Sequence, residues 1–246
     1  IQMISWDSNN IGFRCNGRGG KFAGYINVNQ KSVTTLSSNN GKIPDYIAPM
    51  PSASGQYFYL DGEIYDRNLQ FMRRLDLPNG LEHANLGQNH LGEDAYFTAM
   101  FDPGQNCAIG SVVMHNLSTG SCQVLAGPST GLPYPPPDTH ISAQASQNLG
   151  WLAVSTIGEG DELPRRGTRT PVRTTVGEIY LVGTDASKNT FCRVAHHRTF
   201  GKSGQNGYWA EPHPAISPSG TRILFGSDFH NSGTTDTYVI ELPSYR

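Results

Sequence analysis

Helical periodicity is nearly absent from the chain. Short apolar runs recur instead, bounded by Gly, Asn, Ser and Pro, the mark of strands separated by tight turns. Residues 51–66, PSASGQYFYLDGEIYD, and 216–229, ISPSGTRILFGSDF, show the unit. In each, Ser-x-x-Gly is followed by mixed residues and then an apolar strand. The glycine of such a turn accepts positive φ, and the strand that follows enters a core. Residues 4–15, ISWDSNNIGFRC, have the same form with Asn9-Asn10 expected in the turn. Further strands follow within 20–36, 69–78, 108–127, 177–197 and 235–243.

Five such units begin near Ile4, Met50, His83, His140 and His213. Their uneven spacing brackets the ~40–50 residues of a four-stranded propeller blade. The pattern predicts an all-β chain, a β-propeller of four-stranded blades with about five repeats. It is read as a single domain, 1–246, forming either a complete five-bladed ring or part of a larger, seven-bladed one. A β-sandwich also spaces short strands by turns. The recurrence of the turn-strand unit itself favours the propeller.

Composition fits this picture. Gly 28 and Pro 16 among 246 residues supply many turns, and 10% aromatic with only 15% charged residues argues against disorder. A net charge of −2 without a Lys/Arg run leaves no electrostatic footprint for nucleic acid. No apolar run approaches the ~20 residues of a membrane helix. The densest basic stretch, Arg165, Arg166 and Arg169 with Arg173 following, lies in a long insert at 158–176. It reads as a solvated loop, with a local anion site as the alternative.

The chain starts at Ile1 with no leader, as a removed leader or a trimmed terminus would leave it. The triplet Asn116-Leu117-Ser118 is a weak pointer to secretion. A secreted, periplasmic or cell-envelope location is the expectation. Cys15, Cys107, Cys122 and Cys192 show no zinc-type spacing. Cys107 and Cys122 flank a hairpin whose turn near Ser118–Gly120 would not set them opposite each other, so free thiols are favoured over a disulfide.

Three of the eight histidines, His83, His140 and His213, fall where a unit begins. The innermost strand of each propeller blade starts at one mouth of the central channel, so residues at that position converge on the axis. Imidazoles meeting there make a transition-metal site, with Glu211 as a carboxylate ligand and His196 as a further donor. The alternative is three entrance histidines that each bond a local turn. His90, His115 and His230 lack this register and read as surface. Tyr208 and Trp209 offer faces on which a sugar ring stacks, or else pack between blades.

The stretch HPAISPSGTRILFGSDF, with FCRVAHHRTF and YWAEPHP before it, resembles a segment of oligogalacturonate lyases and related bacterial TolB-like propellers. The likeness is good over about 177–243. It implies a divalent metal, manganese in those lyases, with His140 and His213 matching ligands. It also implies β-elimination at a uronate, in which a base removes the proton α to the carboxylate and metal and arginine stabilise the resulting charge. His83 and His197 stand in for the base and Arg198 for the arginine. Three residues before His213, where those lyases carry a ligand glutamine, the chain has Ala210.

The sequence therefore predicts a carbohydrate-active propeller that binds or cleaves an acidic oligosaccharide, with Tyr208, Trp209, Arg165 and Arg166 as saccharide contacts. The alternative is a non-catalytic interaction or assembly module that self-associates or takes a partner chain. A propeller glycosidase ranks last, since the entrance carboxylates, Glu82, Asp138 and Glu211, are few.

Overall fold

The computed structural model describes residues 4–17, 20–36, 43, 47–77, 83–100, 107, 111–132, 139–156, 176–199 and 211–243. They form five antiparallel sheets that succeed one another along the chain. The first holds β1 (Asn10–Gly17), β2 (Gly20–Asn27) and β3 (Ser32–Thr35), with an inner bridge Ile4–Ile11. The second runs β4 (Met50–Pro51), β5 (Phe58–Leu60), β6 (Glu63–Tyr65) and β7 (Phe71–Arg74). The third runs β8 (Asn85–Gln88), β9 (Asp94–Met100), β10 (Ser111–Asn116) and β11 (Cys122–Ala126). The fourth runs β12 (His140–Ser142), β13 (Trp151–Thr156), β14 (Glu178–Gly183) and β15 (Phe191–His196). The fifth holds β16 (Ala215–Ile216), β17 (Arg222–Ser227) and β18 (Asp236–Glu241).

Every sheet is a meander in which sequence neighbours pair. The chain is all-β, with no α-helix among the described residues. Its sheets are the blades of a β-propeller, five in number among those residues. Among the described residues no helix is long and apolar enough to cross a membrane.

The repeat is visible in backbone detail. In the second unit the Gly55 N–H donates to Ser52 O at 2.9 Å with Gly55 at φ 69°, and in the fifth Gly220 does the same to Ser217 at 2.9 Å with φ 71°. The third unit closes the turn with Gly92 on Asn89, and the fourth with Asn148 on Ala145. In the first unit the turn closes at Ser8 on Ser5, with Ser8 at φ 58°. This differs from the expected Asn9-Asn10: Asn10 already starts β1, and its buried side chain accepts a bond from Asn27 Nδ2 at 3.0 Å. A second repeated feature is a bulge between the two outer strands of the second, third and fourth blades, at Ile64/Tyr65, Val112/Val113 and Ile179/Tyr180. One extra residue there adds local twist, as blades splaying from an axis require.

Blades pack face to face through apolar residues. Tyr25 stacks on Phe58 at 4.1 Å between the first and second blades, and Tyr59 on Tyr96 at 4.4 Å between the second and third. Ala95, Phe97 and Val112 join Ile141, Leu152 and Val154 across the next seam. Ile179 and Ala153 meet Ile216, Ile223 and Phe225 across the last. Polar side chains lock the same seams near the axis. The buried Asp94 carboxylate takes the hydroxyls of Ser52, at 2.6 Å, and Ser54. Leaving either hydroxyl buried and unpaired would cost about 1–3 kcal/mol. Gly87 lies so close to the next blade that an added Cβ would meet Ala143 O at 2.6 Å.

Two readings of the sequence are corrected by this packing. His115 is not at the surface: it sits on β10, fully buried. Cys107 and Cys122 form a disulfide with Cα atoms 5.8 Å apart. The hairpin register does place His115, and not Cys107, opposite Cys122. Cys107 reaches Cys122 from the chain before β10, which hairpin counting does not foresee.

Candidate metal and substrate site at the axial mouth

The innermost strands β8, β12 and β16 begin side by side, and so do the residues at their entrances. The rings of His83 and His140 are stacked with centroids 4.3 Å apart and 8° between planes. His213 lies on the other face of His140, at 3.8 Å and 42°. Three blades thus contribute one imidazole each to a column with His140 at its centre. Below it, Glu211 Oε2 lies 2.7 Å from His140 Nε2 and 3.9 Å from His213 Nε2. Glu211 reaches this position as the start of a segment leading to β16, whose Pro212 carbonyl accepts the Gly226 N–H at 2.8 Å.

Exposure falls along the column. The His213 side chain is 52% exposed, that of His140 12% and that of Glu211 0%. The site is therefore open at His213 and closed at the carboxylate. His213 also holds φ 43°, a conformation that non-glycine residues adopt rarely and at a cost of order 1–3 kcal/mol.

Burial, with the neighbouring imidazoles of His213 and His83, pushes His140 down to about 3. At neutral pH it is an uncharged ring whose Nε2–H donates to Glu211. Burial and His83 also lower His213. His83 Nδ1–H donates to the Thr139 carbonyl at 2.9 Å, which leaves Nε2 as the ring nitrogen not committed to that bond.

His140, Glu211 and His213 fit a divalent cation: one donor atom from each lies within 4.8 Å of the others. Neutral imidazoles beside a buried carboxylate are a nitrogen and oxygen set suited to first-row transition ions. Ligands at about 2.1 Å from one ion stand roughly 3 Å or more apart, so a bound ion would take the place of the 2.7 Å hydrogen bond between His140 and Glu211.

The other residues singled out in the sequence lie elsewhere or are engaged. His196 faces Glu178 at 3.6 Å, in a cluster with Arg193, and the structure does not bring it to the column. His197 is buried, and both its ring nitrogens are used: Nε2–H donates to Thr156 O at 2.8 Å, and Nδ1 accepts the Thr199 N–H at 3.1 Å. Burial pushes it down to about 4. Arg198 is exposed, with φ 61°, and its carbonyl accepts the His230 N–H at 2.7 Å. Tyr208, Trp209, Ala210, Arg165, Arg166, Glu82 and Asp138 lie outside the described residues.

At the far end of the inner strands, Trp6 Nε1–H donates to Gln144 Oε1 at 3.1 Å, joining the first unit to the fourth. Sequence reasoning missed this contact, because the two residues are far apart in the chain.

No protein-family profile matches the chain, and no curated protein matches it in sequence. Among solved structures it resembles TolB and oligogalacturonate lyase propellers. TolB from Acinetobacter baumannii is 11% identical with a TM-score of 0.49 over 91% of this chain, which spans about half, 47%, of that protein's chain. A putative TolB from Agrobacterium tumefaciens is 13% identical, TM-score 0.48, covering 97% of this chain and 75% of its own. Oligogalacturonate lyase from Vibrio parahaemolyticus is 11% identical, TM-score 0.39, covering 98% of this chain and 89% of its own. The site stands on its own residues.

Proposed function

We propose that residues 1–246 form one propeller domain whose axial mouth holds a divalent transition ion on His140, Glu211 and His213. There it engages an acidic saccharide, with β-elimination at a uronate as the reaction and manganese as the ion the sequence resemblance implies. The observation that carries this reading is the stacking of entrance imidazoles from three consecutive blades, two of which, His140 and His213, reach one buried carboxylate.

A bound divalent ion supplies positive charge against which a uronate carboxylate and the developing enolate are stabilised. The chain's own groups do the rest. His213, on the open side, meets the substrate. Glu211 and His140, with His213, would hold the ion. His83, with its proton fixed on Nδ1 by Thr139, presents Nε2 as the base that takes the α proton. His197, with both nitrogens occupied, is the weaker candidate for that role. Arg198 provides charge complementarity, and Tyr208, Trp209, Arg165 and Arg166 are assigned to the saccharide from the sequence. A secreted or envelope location accords with such a substrate.

The test is metal analysis of the purified protein, then ultraviolet absorbance of unsaturated product with polygalacturonate and other uronates. Metal and activity both lost in His213→Ala support the proposal. Activity unchanged in that variant, or no ion bound by the parent chain, overturns it.

A second reading, an assembly module, draws on the terminal blades. Val33 (62% exposed), Phe22 and Val28 on the first, and Val239 (56%), Leu224 and Phe229 on the last, leave apolar side chains in solvent. Concentration-dependent sedimentation of the parent chain that disappears in Val33→Asp or Val239→Asp would favour it.

A further inference from the structure

A second group of donor atoms lies away from the axial mouth, in the third blade. Cys107, His115 and Cys122 bring their sulfur and imidazole atoms within 4.8 Å of one another. His115 and Cys122 face each other as a cross-strand pair on β10 and β11. Cys107 comes from outside that hairpin, and its N–H donates to Asp76 Oδ2 at 3.1 Å, which ties the second blade to the cluster.

His115 needs an explanation. It is fully buried against Tyr96, whose ring centroid is 6.3 Å away. Its Nε2 lies 3.7 Å from Cys107 Sγ, and its Nδ1 meets no hydrogen-bond partner among the described residues. Burial pushes the ring down to about 4, so it stays neutral with a lone pair available. A disulfide gives an imidazole nothing comparable to a hydrogen bond, and an aliphatic side chain would fill the place better. Two thiolates and a neutral imidazole, with the Asp76 carboxylate alongside, are in contrast the donors that zinc selects.

We propose that Cys107, His115 and Cys122 form a redox-gated site for a soft divalent ion, zinc by preference, closed to metal in the disulfide form and opened by a dithiol reductant. On opening, the Sγ–Sγ bond takes two electrons and two protons from the reductant, which becomes a cyclic disulfide. The ion then replaces the two thiol protons, which pass to solvent, and His115 Nε2 completes the protein set. Cys122, only partly buried, is the sulfur a reductant reaches first and the side on which solvent takes the fourth position. Cys15 and Cys192 are exposed and lie outside the cluster.

Cobalt(II) serves as the probe, because thiolate ligation gives a near-ultraviolet charge-transfer band. The axial triad contains no sulfur and cannot produce one. The chain is reduced with a phosphine, freed of it without oxygen, and titrated. One ion per chain with that band, displaced by zinc and abolished by reoxidation of the same sample, is the expected result. His115→Ala weakens binding at least ~100-fold. The proposal is overturned by a reduced, folded chain that gives no band, or by an equal band in the Cys107→Ser/Cys122→Ser double variant. It is also overturned if near-ultraviolet circular dichroism is lost on reduction and zinc does not restore it.

Discussion

The axial triad and the third-blade triad place three donors within the same small distance of one another, yet they are built in opposite ways. His140, Glu211 and His213 come from entrances of two successive blades, with a separation of 71 residues from His140 to Glu211. They exist only because the blades share an axis. Cys107, His115 and Cys122 come from one blade, with a separation of 15 residues between the sulfurs. The first opens to solvent at His213, while the second is closed except at Cys122. A site assembled between blades can be exposed and strained without threatening any one sheet. A site inside a sheet is part of its stability and is switched only by chemistry that changes its bonds.

Acid should give the largest response and act on a buried ring in each region, and on His197 outside both. His115 and His197 are held at about 4 against the ordinary 6.5, and His140 at about 3. Depressed values mean that the folded chain prefers the neutral rings. Their stabilisation is full above pH 6.5 and is lost as pH falls towards 4 and below. A ring held one pH unit below its ordinary value contributes at most about 1.4 kcal/mol, and relaxation of the fold reduces that. Urea midpoints measured between pH 7 and 4 should fall steeply, and His115→Gln should flatten that slope.

Removing the crosslink comes next. Cys107→Ser with Cys122→Ser should cost about 3 kcal/mol in urea unfolding and leave ion binding at the axial mouth unchanged. A loss of both would mean that the two regions are coupled through the seam at Asp76.

Glu211→Gln is expected to weaken axial binding of manganese or cobalt by about 10–100-fold, read by isothermal titration, while the cobalt–thiolate band of the reduced chain persists. Smallest is the effect of His213→Ala on stability, within about 0.5 kcal/mol because about half of the side chain is already in solvent. It should nevertheless raise His140, by removing one of the rings that repel its proton, and the His140 resonances in an NMR titration would report this.

How much of this was visible in the residues can be judged from the turns. Ser52-x-x-Gly55 and Ser217-x-x-Gly220 announced two blades, since only a few residue types close such a turn with positive φ. Asn89-x-x-Gly92 and Ala145-x-x-Asn148 close equivalent turns in different chemistry, which is why they passed unnoticed. His83, His140 and His213 were found by their shared place in the repeat. His115 was missed because alternation along a strand does not say which side of a blade is covered by its neighbour. The Cys107–Cys122 link was missed because Cys107 lies off the hairpin. The assignment of His197 as a base met the same difficulty: neither Thr156 O nor the Thr199 N–H is marked in the sequence as a bonding partner.

Local chemistry settled the strands, their turns and the order in which blades succeed each other, because periodicity and turn preference act over a few residues. Which imidazoles stack, which carboxylate lies beneath them, and which histidine is sealed beside two sulfurs were decided only when sheets packed around a common axis. Those contacts join residues far apart in the chain, and their energies depend on burial that no short window of sequence contains.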